Sequence, residues 1–224
     1  MLKQRVPTFA PNCGKPGPVL TESGTPLANP EAVAFNNTKG IVYVGNLYGP
    51  SDSPGNVAVF PKGKLTPSTY LTQSTQSSGY GVGVDSEGDV FQIVDQAYGK
   101  GFEVVEWRGG KMPGTVLPLG GLVVPNGITF DKRDNMLLFN DRLGVILKYP
   151  PPYSGAPSRT YTSKNPACAG TLNRNGTRLY AASRANGSVD AYTYPEGRYL
   201  YSITAGLSAS GSVTGVAIDP IYTP

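Results

Sequence analysis

Histidine is absent from the 224 residues of this sequence. Its absence removes Ser–His–Asp triads, imidazole metal ligands and the usual general base at neutral pH. Cysteine is scarce as well, since the chain has Cys13 and Cys168 and no CxxC pair, which excludes zinc sites of the usual spacing. Either one long-range disulfide joins these two cysteines, or they are two unrelated thiols.

Charged residues are also few, at 15% of the sequence, and the net charge is only +4. The basic residues are scattered, with no run longer than Lys132-Arg133, so we expect no nucleic-acid partner, which would require a basic stripe. No stretch of about 18 apolar residues is present, so we expect no membrane insertion. Residues 1–10 lack the apolar segment of a signal peptide. The bias toward Thr, Ser, Asn, Gly and Tyr is typical of exported bacterial β-proteins, so a secreted or periplasmic protein with its leader removed is the expectation.

What the chain does contain is turn-forming and aromatic residues: 29 Gly, 21 Pro, 14 Tyr and 7 Phe. Gly costs a helix about 1 kcal/mol and Pro about 3 kcal/mol, which excludes a bundle of long helices. The aromatic residues and the many valines can fill a core, and a chain of this length buries roughly 70% of its unfolded surface without disulfides. The composition therefore predicts a folded, all-β protein.

An internal repeat of about 40 to 50 residues is the strongest pattern in the sequence. Each unit opens with a short apolar strand that follows a small or polar residue, at 30–36, 79–85, 125–131, 167–173 and 213–219. A turn with Gly or Asn leads to a second strand, at 41–46, 90–95, 136–141 and 179–184. Third strands are predicted at 56–60, 102–107, 145–149 and 188–192, and fourth strands at 68–72, 114–117, 158–162 and 199–203.

Four antiparallel strands per repeat predict a β-propeller, in which neighbouring blades bury each other's faces. A β-sandwich or a β-solenoid fits the period less well. We expect one domain, 1–224, with blades at 29–72, 73–120, 121–164 and 165–206, and a fifth blade closed by 1–28 together with 207–224. The alternative is a six-bladed propeller, complete or truncated. Crowding near the axis explains the small residues of the first strands, which are Ala32, Ala34, Gly81, Gly83, Gly127, Ala169, Gly170, Gly215 and Ala217.

Equivalent positions in rotationally repeated blades converge on one axis. At the starts of the first strands these positions hold five different residues: Glu31, Tyr80, Asn126, Cys168 and Thr214. A purely structural ring would more often repeat one residue, so we predict that this ring binds a ligand. The alternative is that it caps the channel and holds only water.

Three stretches, "GVGVDSEGDVFQIVD", "VPNGITFDKRDNMLLFND" and "VTGVAIDP", resemble the NHL-type and gluconolactonase-type propeller superfamily. The outer halves of the blades, such as "NVAVFPKGKLTPSTYLT", resemble uncharacterised secreted bacterial repeat proteins. Lactonase-like members of that superfamily hold calcium at the axial channel. The resemblance implies that Glu31 in "NPEAVAF" and Asn126 in "VPNGITF" are the metal ligands, with Asp95 and Asp141 adding charge nearby.

Two functions follow as hypotheses. The first, favoured because the predicted ring has one carboxylate and no catalytic set is recognisable, is a non-catalytic binding scaffold that recognises a protein, a glycan or a small molecule at one face. The second is a calcium-assisted lactonase-like hydrolase, acting on a lactone or an ester at the axial channel. Calcium takes six to eight oxygen ligands, including charged ones, so a second carboxylate near Glu31 would favour the enzyme.

Overall fold

The computed structural model describes residues 6–9, 16–22, 25–27, 29–49, 53–97, 100–207, 211 and 213–218. The protein is all-β, and the β-propeller architecture of four-stranded antiparallel blades that the repeat predicts is confirmed. Among the described residues, no helix has the length and apolar character needed to cross a membrane.

Four complete blades and one smaller sheet make up the described chain. The smaller sheet contains β1 Val6–Phe9, β2 Pro16–Glu22 and β3 Thr25–Pro26. Blade A contains β4 Pro30–Asn36, β5 Ile41–Asn46, β6 Asn56–Phe60 and β7 Thr69–Leu71. Blade B contains β8 Gln76–Val84, β9 Val90–Gln96, β10 Phe102–Trp107 and β11 Thr115–Val116. Blade C contains β12 Pro125–Phe130, β13 Met136–Asn140, β14 Val145–Tyr149 and β15 Arg159–Thr162. Blade D contains β16 Ala169–Leu172, β17 Arg178–Ser183, β18 Ser188–Thr193 and β19 Tyr199–Ile203.

Two compact units divide the chain, Met1–Val116 and Leu117–Pro224. In the first unit, blades A and B bury a shared cluster that includes Tyr43 and Leu71 from blade A and Val94 and Trp107 from blade B. Leu20 of β2 and Leu27 pack on the other side of blade A, against Val44 and Phe60. The blade faces are therefore covered as the strand pattern predicts, because one four-stranded sheet cannot bury both faces alone.

In the second unit, blades C and D pack in the same way. Their shared cluster includes Leu137 and Phe139 from β13 and Leu179 and Tyr192 from β17 and β18. β13 is buried along its whole length. Such near-continuous apolar strands are expected where a strand is buried on both faces.

One turn chemistry recurs in all four blades, at the residue that ends or follows the first strand. The side-chain oxygen of this residue accepts hydrogen bonds from backbone N–H groups two to five residues later, and the four residues are Asn36, Asp85, Asp131 and Asn173. This is the way in which Asn and Asp usually stabilise turns. The Asp of the repeated sequence pattern therefore shapes the turn between the first two strands.

Crowding at the first strands is confirmed at two glycines. A β-carbon on Gly127 would lie 2.6 Å from the carbonyl oxygen of Cys168, and one on Gly170 would lie 2.6 Å from that of Tyr180. Gly215 differs, because no atom of the described residues beyond its two chain neighbours lies within 4 Å of the place of its β-carbon.

The closing blade was expected from 1–28 together with 207–224. Three strands are described within the first segment, and residues 213–218 form no strand. Residues 1–5, 10–15, 208–210, 212 and 219–224 lie outside the described residues. Four complete blades agree with the alternative of a truncated propeller, and the five-blade ring within a single domain stays a prediction.

Candidate functional site

The first strands of three blades are irregular at the positions predicted to bind a ligand. The pairing register shifts between Pro30 and Ala32, between Gly79 and Val82, and between Pro125 and Gly127. Glu31, Tyr80 and Asn126 lie within these bulges. A β-bulge re-aims a side chain, and bulges are over-represented beside active sites.

In the first unit, Glu31 and Tyr80 lie in different environments. Glu31 is exposed, on the same side of β4 as the exposed Val33 and Phe35, while the intervening Ala32 and Ala34 pack against the core. Tyr80 is half-buried, with its ring centroid 5.7 Å from that of Phe102. Glu31 is thus positioned toward solvent, whereas Tyr80 is held by an aromatic contact within blade B.

In the second unit, Asn126 belongs to a connected polar cluster. Its Nδ2 donates a 3.0 Å hydrogen bond to Oδ2 of Asp141, and the same oxygen accepts a 2.9 Å hydrogen bond from a guanidinium nitrogen of Arg184. Asp141 follows β13 and Arg184 follows β17, so the ion pair joins equivalent strand ends of blades C and D. We call Asn126, Asp141 and Arg184 the strand-end cluster.

A cavity of about 270 Å³ opens beside the strand-end cluster. It is lined by Asp141, Pro166, Arg184, Ala185 and Gly211. The backbone N–H of Gly211 donates a 2.7 Å hydrogen bond to the carbonyl oxygen of Arg184, which holds Gly211 at the cavity edge. Side-chain exposure is 18% for Asp141 and 47% for Arg184, so the cavity presents one partly desolvated carboxylate and one accessible guanidinium.

Cys168 and Thr214 lie in contact through the Cys168 thiol and the backbone carbonyl of Thr214. The Cys168 thiol is buried and lies 3.4 to 3.6 Å from the carbonyl oxygens of Ala182, Val213 and Thr214. Burial raises the pKa of the Cys168 thiol. A thiol nucleophile needs its pKa lowered, so this environment is structural and holds residues 213 and 214 against blade D.

The sequence predicts either a disulfide between Cys13 and Cys168 or two unrelated thiols, and the described residues include Cys168. Cys168 is a free cysteine, whereas Cys13 lies outside the described residues. Thr214 itself is exposed, and its contact with Cys168 is made by its backbone carbonyl.

The residues that the calcium resemblance implies fit a cation poorly. The described residues include no group of three or more Cys, Asp or Glu side chains placed to hold a metal ion. The side-chain amide of Asn126 is directed at Asp141, whose carboxylate is already paired with Arg184. A calcium ion at Asn126 would lie near a guanidinium, and like charges repel. The surroundings of Asn126 therefore disfavour calcium.

Arg184 is the site residue that the sequence interpretation missed. A usable signal was present, because Asp141 and Arg184 occupy corresponding positions after the second strands of consecutive blades. Opposite charges at such positions are expected to meet, since adjacent blades place equivalent strand ends side by side. The ring predicted at the starts of the first strands includes Asn126. It does not include Arg184, which pairs with the carboxylate that Asn126 contacts.

Comparison with known proteins gives information on the fold. No protein-family model and no curated protein matches the sequence. Among solved structures, hydrazine synthase of Kuenenia stuttgartiensis is similar with a TM-score of 0.59 and 13% identity, over 82% of this chain and 50% of that one. A protein of unknown function from Bacteroides caccae has a TM-score of 0.64 and 9% identity, over 90% and 69% of the two chains. Streptogramin B lyase has a TM-score of 0.60 and 15% identity, over 82% and 57%.

These likenesses concern the fold alone. The chain spans half the length of the hydrazine synthase chain and little more than half of the lyase chain. At such low identities the shared feature is the fold, and one fold hosts many unrelated functions.

Proposed function

We propose that this propeller is a non-catalytic binding protein that holds a small, neutral, hydroxyl-rich ligand, such as one sugar of a glycan, in the cavity beside Asp141 and Arg184. The observation that carries the proposal is the ion pair of Asp141 and Arg184 at the cavity wall, in which the carboxylate oxygen that meets the guanidinium also accepts from the Asn126 amide.

The chemistry of this cluster suits hydroxyl groups. A carboxylate accepts hydrogen bonds on two oxygens, and a guanidinium carries five N–H donors in a fixed plane. The ion pair with Asp141 uses one guanidinium nitrogen of Arg184 and orients the rest of the fork. Sugar hydroxyls both donate and accept, so they match a wall that offers both functions within a few ångströms.

Charge balance favours a neutral ligand. Among the described residues that line the cavity, Asp141 and Arg184 carry charge, and their charges cancel. A ligand with a net charge would be desolvated there without a matching countercharge. A cavity of about 270 Å³ lies near the lower end of the range for ligand pockets, which is consistent with one sugar ring.

The environments of the side chains that would have to perform catalysis also support a binding role. The sequence has no histidine, and burial raises the pKa of the Cys168 thiol. Asp141 is paired with the guanidinium of Arg184, and Glu31 lies on an exposed strand face.

The test is isothermal titration calorimetry of the full chain with a panel of monosaccharides and disaccharides. We expect at least one sugar to bind, and we expect Asp141→Asn and Arg184→Gln to weaken that binding by about tenfold or more. Arg142→Gln is the matched control, because Arg142 is an exposed neighbour of Asp141 that does not line the cavity. Absence of binding across the panel, or equal binding by all variants, would contradict the proposal.

The calcium-assisted lactonase-like hydrolase, with Glu31 and Asn126 as metal ligands, is the alternative that the sequence resemblance implies. A calcium titration of chelator-treated protein separates the two functions. Micromolar calcium binding that disappears in Glu31→Gln, together with lactone hydrolysis, would favour the hydrolase. No calcium binding in either protein would remove that alternative and leave the sugar titrations unaffected.

A further inference from the structure

A second cavity lies at the opposite end of the strands of blades C and D. It has a volume of about 290 Å³ and lies beside the turns that join β12 to β13 and β16 to β17. Its lining includes Asp131, Lys132, Arg133, Lys148, Asn175 and Tyr194. The strand-end cluster lies at the other end of β13 and β17, so the two cavities are separate.

Positive charge dominates this second cavity. Within the part of the chain that the structure describes, its lining carries three basic side chains, Lys132, Arg133 and Lys148, and one acidic side chain, Asp131, which leaves a net charge of +2. The first cavity balances one acid with one base. The two cavities therefore differ in the net charge of their described linings.

Asp131 offsets one of the three positive charges, and hydrogen bonds within the protein already occupy its carboxylate oxygens. Oδ1 accepts from the backbone N–H groups of Arg133 and Asn135, at 2.8 and 2.9 Å. The Asn135 amide donates to both oxygens, at 2.9 and 2.8 Å, and the Tyr194 hydroxyl donates to Oδ2 at 2.6 Å. A carboxylate offers about four acceptor positions, so these bonds account for its capacity.

Lys148 is held at the cavity wall. Its side chain is 18% exposed, and its ammonium nitrogen lies 3.6 Å from Oδ2 of Asp131 and 5.4 Å from the ring centroid of Tyr194. Burial and these two contacts restrict the side chain before any ligand arrives. A restrained cation loses less conformational entropy on binding than a free surface lysine does.

We propose that this cavity binds the phosphate group of a phosphate monoester. A phosphate dianion carries close to two negative charges and three strong acceptor oxygens, which match the net charge of the lining and its ammonium and guanidinium donors. Lys148 supplies the restrained donor, and the exposed Lys132, Arg133 and Asn175 supply the other donors of the lining. This site is independent of the sugar site.

Calorimetry with inorganic phosphate and with methyl phosphate, at constant ionic strength, tests the site. We expect saturable binding of both probes, weakened about tenfold or more in Lys148→Met and in Arg133→Gln. Arg133 is exposed, so Arg133→Gln keeps the fold even if Lys148→Met is unstable, and circular dichroism checks both variants. Lys164→Gln is the control, an exposed lysine of the same unit outside the cavity.

Three results of this calorimetry would overturn the phosphate site or its assignment to a monoester. No saturable binding by the wild-type chain would overturn the site, and so would an equal loss in Lys164→Gln, which would indicate nonspecific charge attraction. Binding of inorganic phosphate without methyl phosphate would overturn the assignment to a monoester. Because Asp141→Asn leaves this cavity intact, phosphate binding in that variant keeps the result distinct from that of the sugar titrations.

Discussion

The hydroxyl of Tyr194 in blade D donates a 2.6 Å hydrogen bond to the carboxylate of Asp131 in blade C. Asp131 also closes the turn of its own blade by accepting from the backbone N–H groups of Arg133 and Asn135. One carboxylate therefore serves both the local turn and the contact between neighbouring blades. The repeated sequence pattern indicates the turn that Asp131 forms, and the structure shows its contact with Tyr194.

Tyr194→Phe removes the bond between the blades while keeping the ring. We expect a loss of about 1.5 to 3 kcal/mol in the free energy of unfolding, the usual range for a hydrogen bond to a charged group. Urea denaturation followed by tryptophan fluorescence and circular dichroism measures the change. Tyr48→Phe, at an exposed tyrosine of the first unit, serves as the control and should change little. Equal stability of the two variants would show that the Tyr194 bond contributes nothing.

The pH dependence of stability should report on Asp131. Burial alone would raise the pKa of this carboxyl, but hydrogen bonds from Tyr194, Asn135 and backbone amides outweigh burial and hold the pKa below its ordinary value. Its contribution to stability is therefore complete above the unfolded-state pKa of about 4, and it is lost as the pH falls through the lower folded-state pKa.

We accordingly expect Asp131→Asn to lower the melting temperature at pH 7, and the difference from the wild-type chain to shrink as the pH falls below about 4. Melting curves between pH 2 and 7 measure this difference, with the exposed Glu87→Gln as the control. A difference that stays constant over this range would mean that ionisation of Asp131 does not contribute to folding.

Cys168 should be unreactive in the folded protein. Its thiol is buried and its pKa is raised, and the thiolate is the reactive form. In a Cys13→Ser variant, which leaves Cys168 as the remaining thiol, we expect the modification rate by a disulfide reagent to be below about one hundredth of the rate in urea. Fast modification under native conditions would contradict the packing of residues 213 and 214 on this thiol.

Gly127 and Gly170 should not tolerate a methyl group. A β-carbon on Gly127 would meet the backbone of Cys168 and Ala169, and one on Gly170 would meet the ring of Phe139 and the backbone of Tyr180. We expect Gly127→Ala and Gly170→Ala each to cost about 1 to 3 kcal/mol of stability, as overpacked cores usually do. Gly215→Ala, at an open position, is the matched control and should be close to neutral in thermal denaturation.

The strands of the four blades were predictable because their signals are local. Apolar runs and turn residues place each strand to within a few residues, as at 136–141, where the structure has Met136–Asn140. The crowding at Gly127 and Gly170 also followed from the repeat, since the first strands had to fit a confined space.

The site was less predictable because its geometry depends on bulges. A bulge between Pro30 and Ala32 cannot be read from the strand pattern, and Glu31 lies on the exposed side of its strand. A bulge beside Asn126 accompanies its hydrogen bond to Asp141. Contacts such as that of Lys148 with Asp131 join separate strands, and a sequence read one strand at a time does not identify them.

Each complete blade pairs its four strands in the order in which they occur in the chain. Strand pairing within a blade therefore closes only short loops, and the entropic cost of closing a loop grows with its length. A nascent chain can complete one sheet from about 40 consecutive residues as they leave the ribosome, before the next blade has been translated. The order of synthesis is thus also a workable order of assembly within each unit, in which blade B finds a face of blade A already formed and blade D finds a face of blade C already formed.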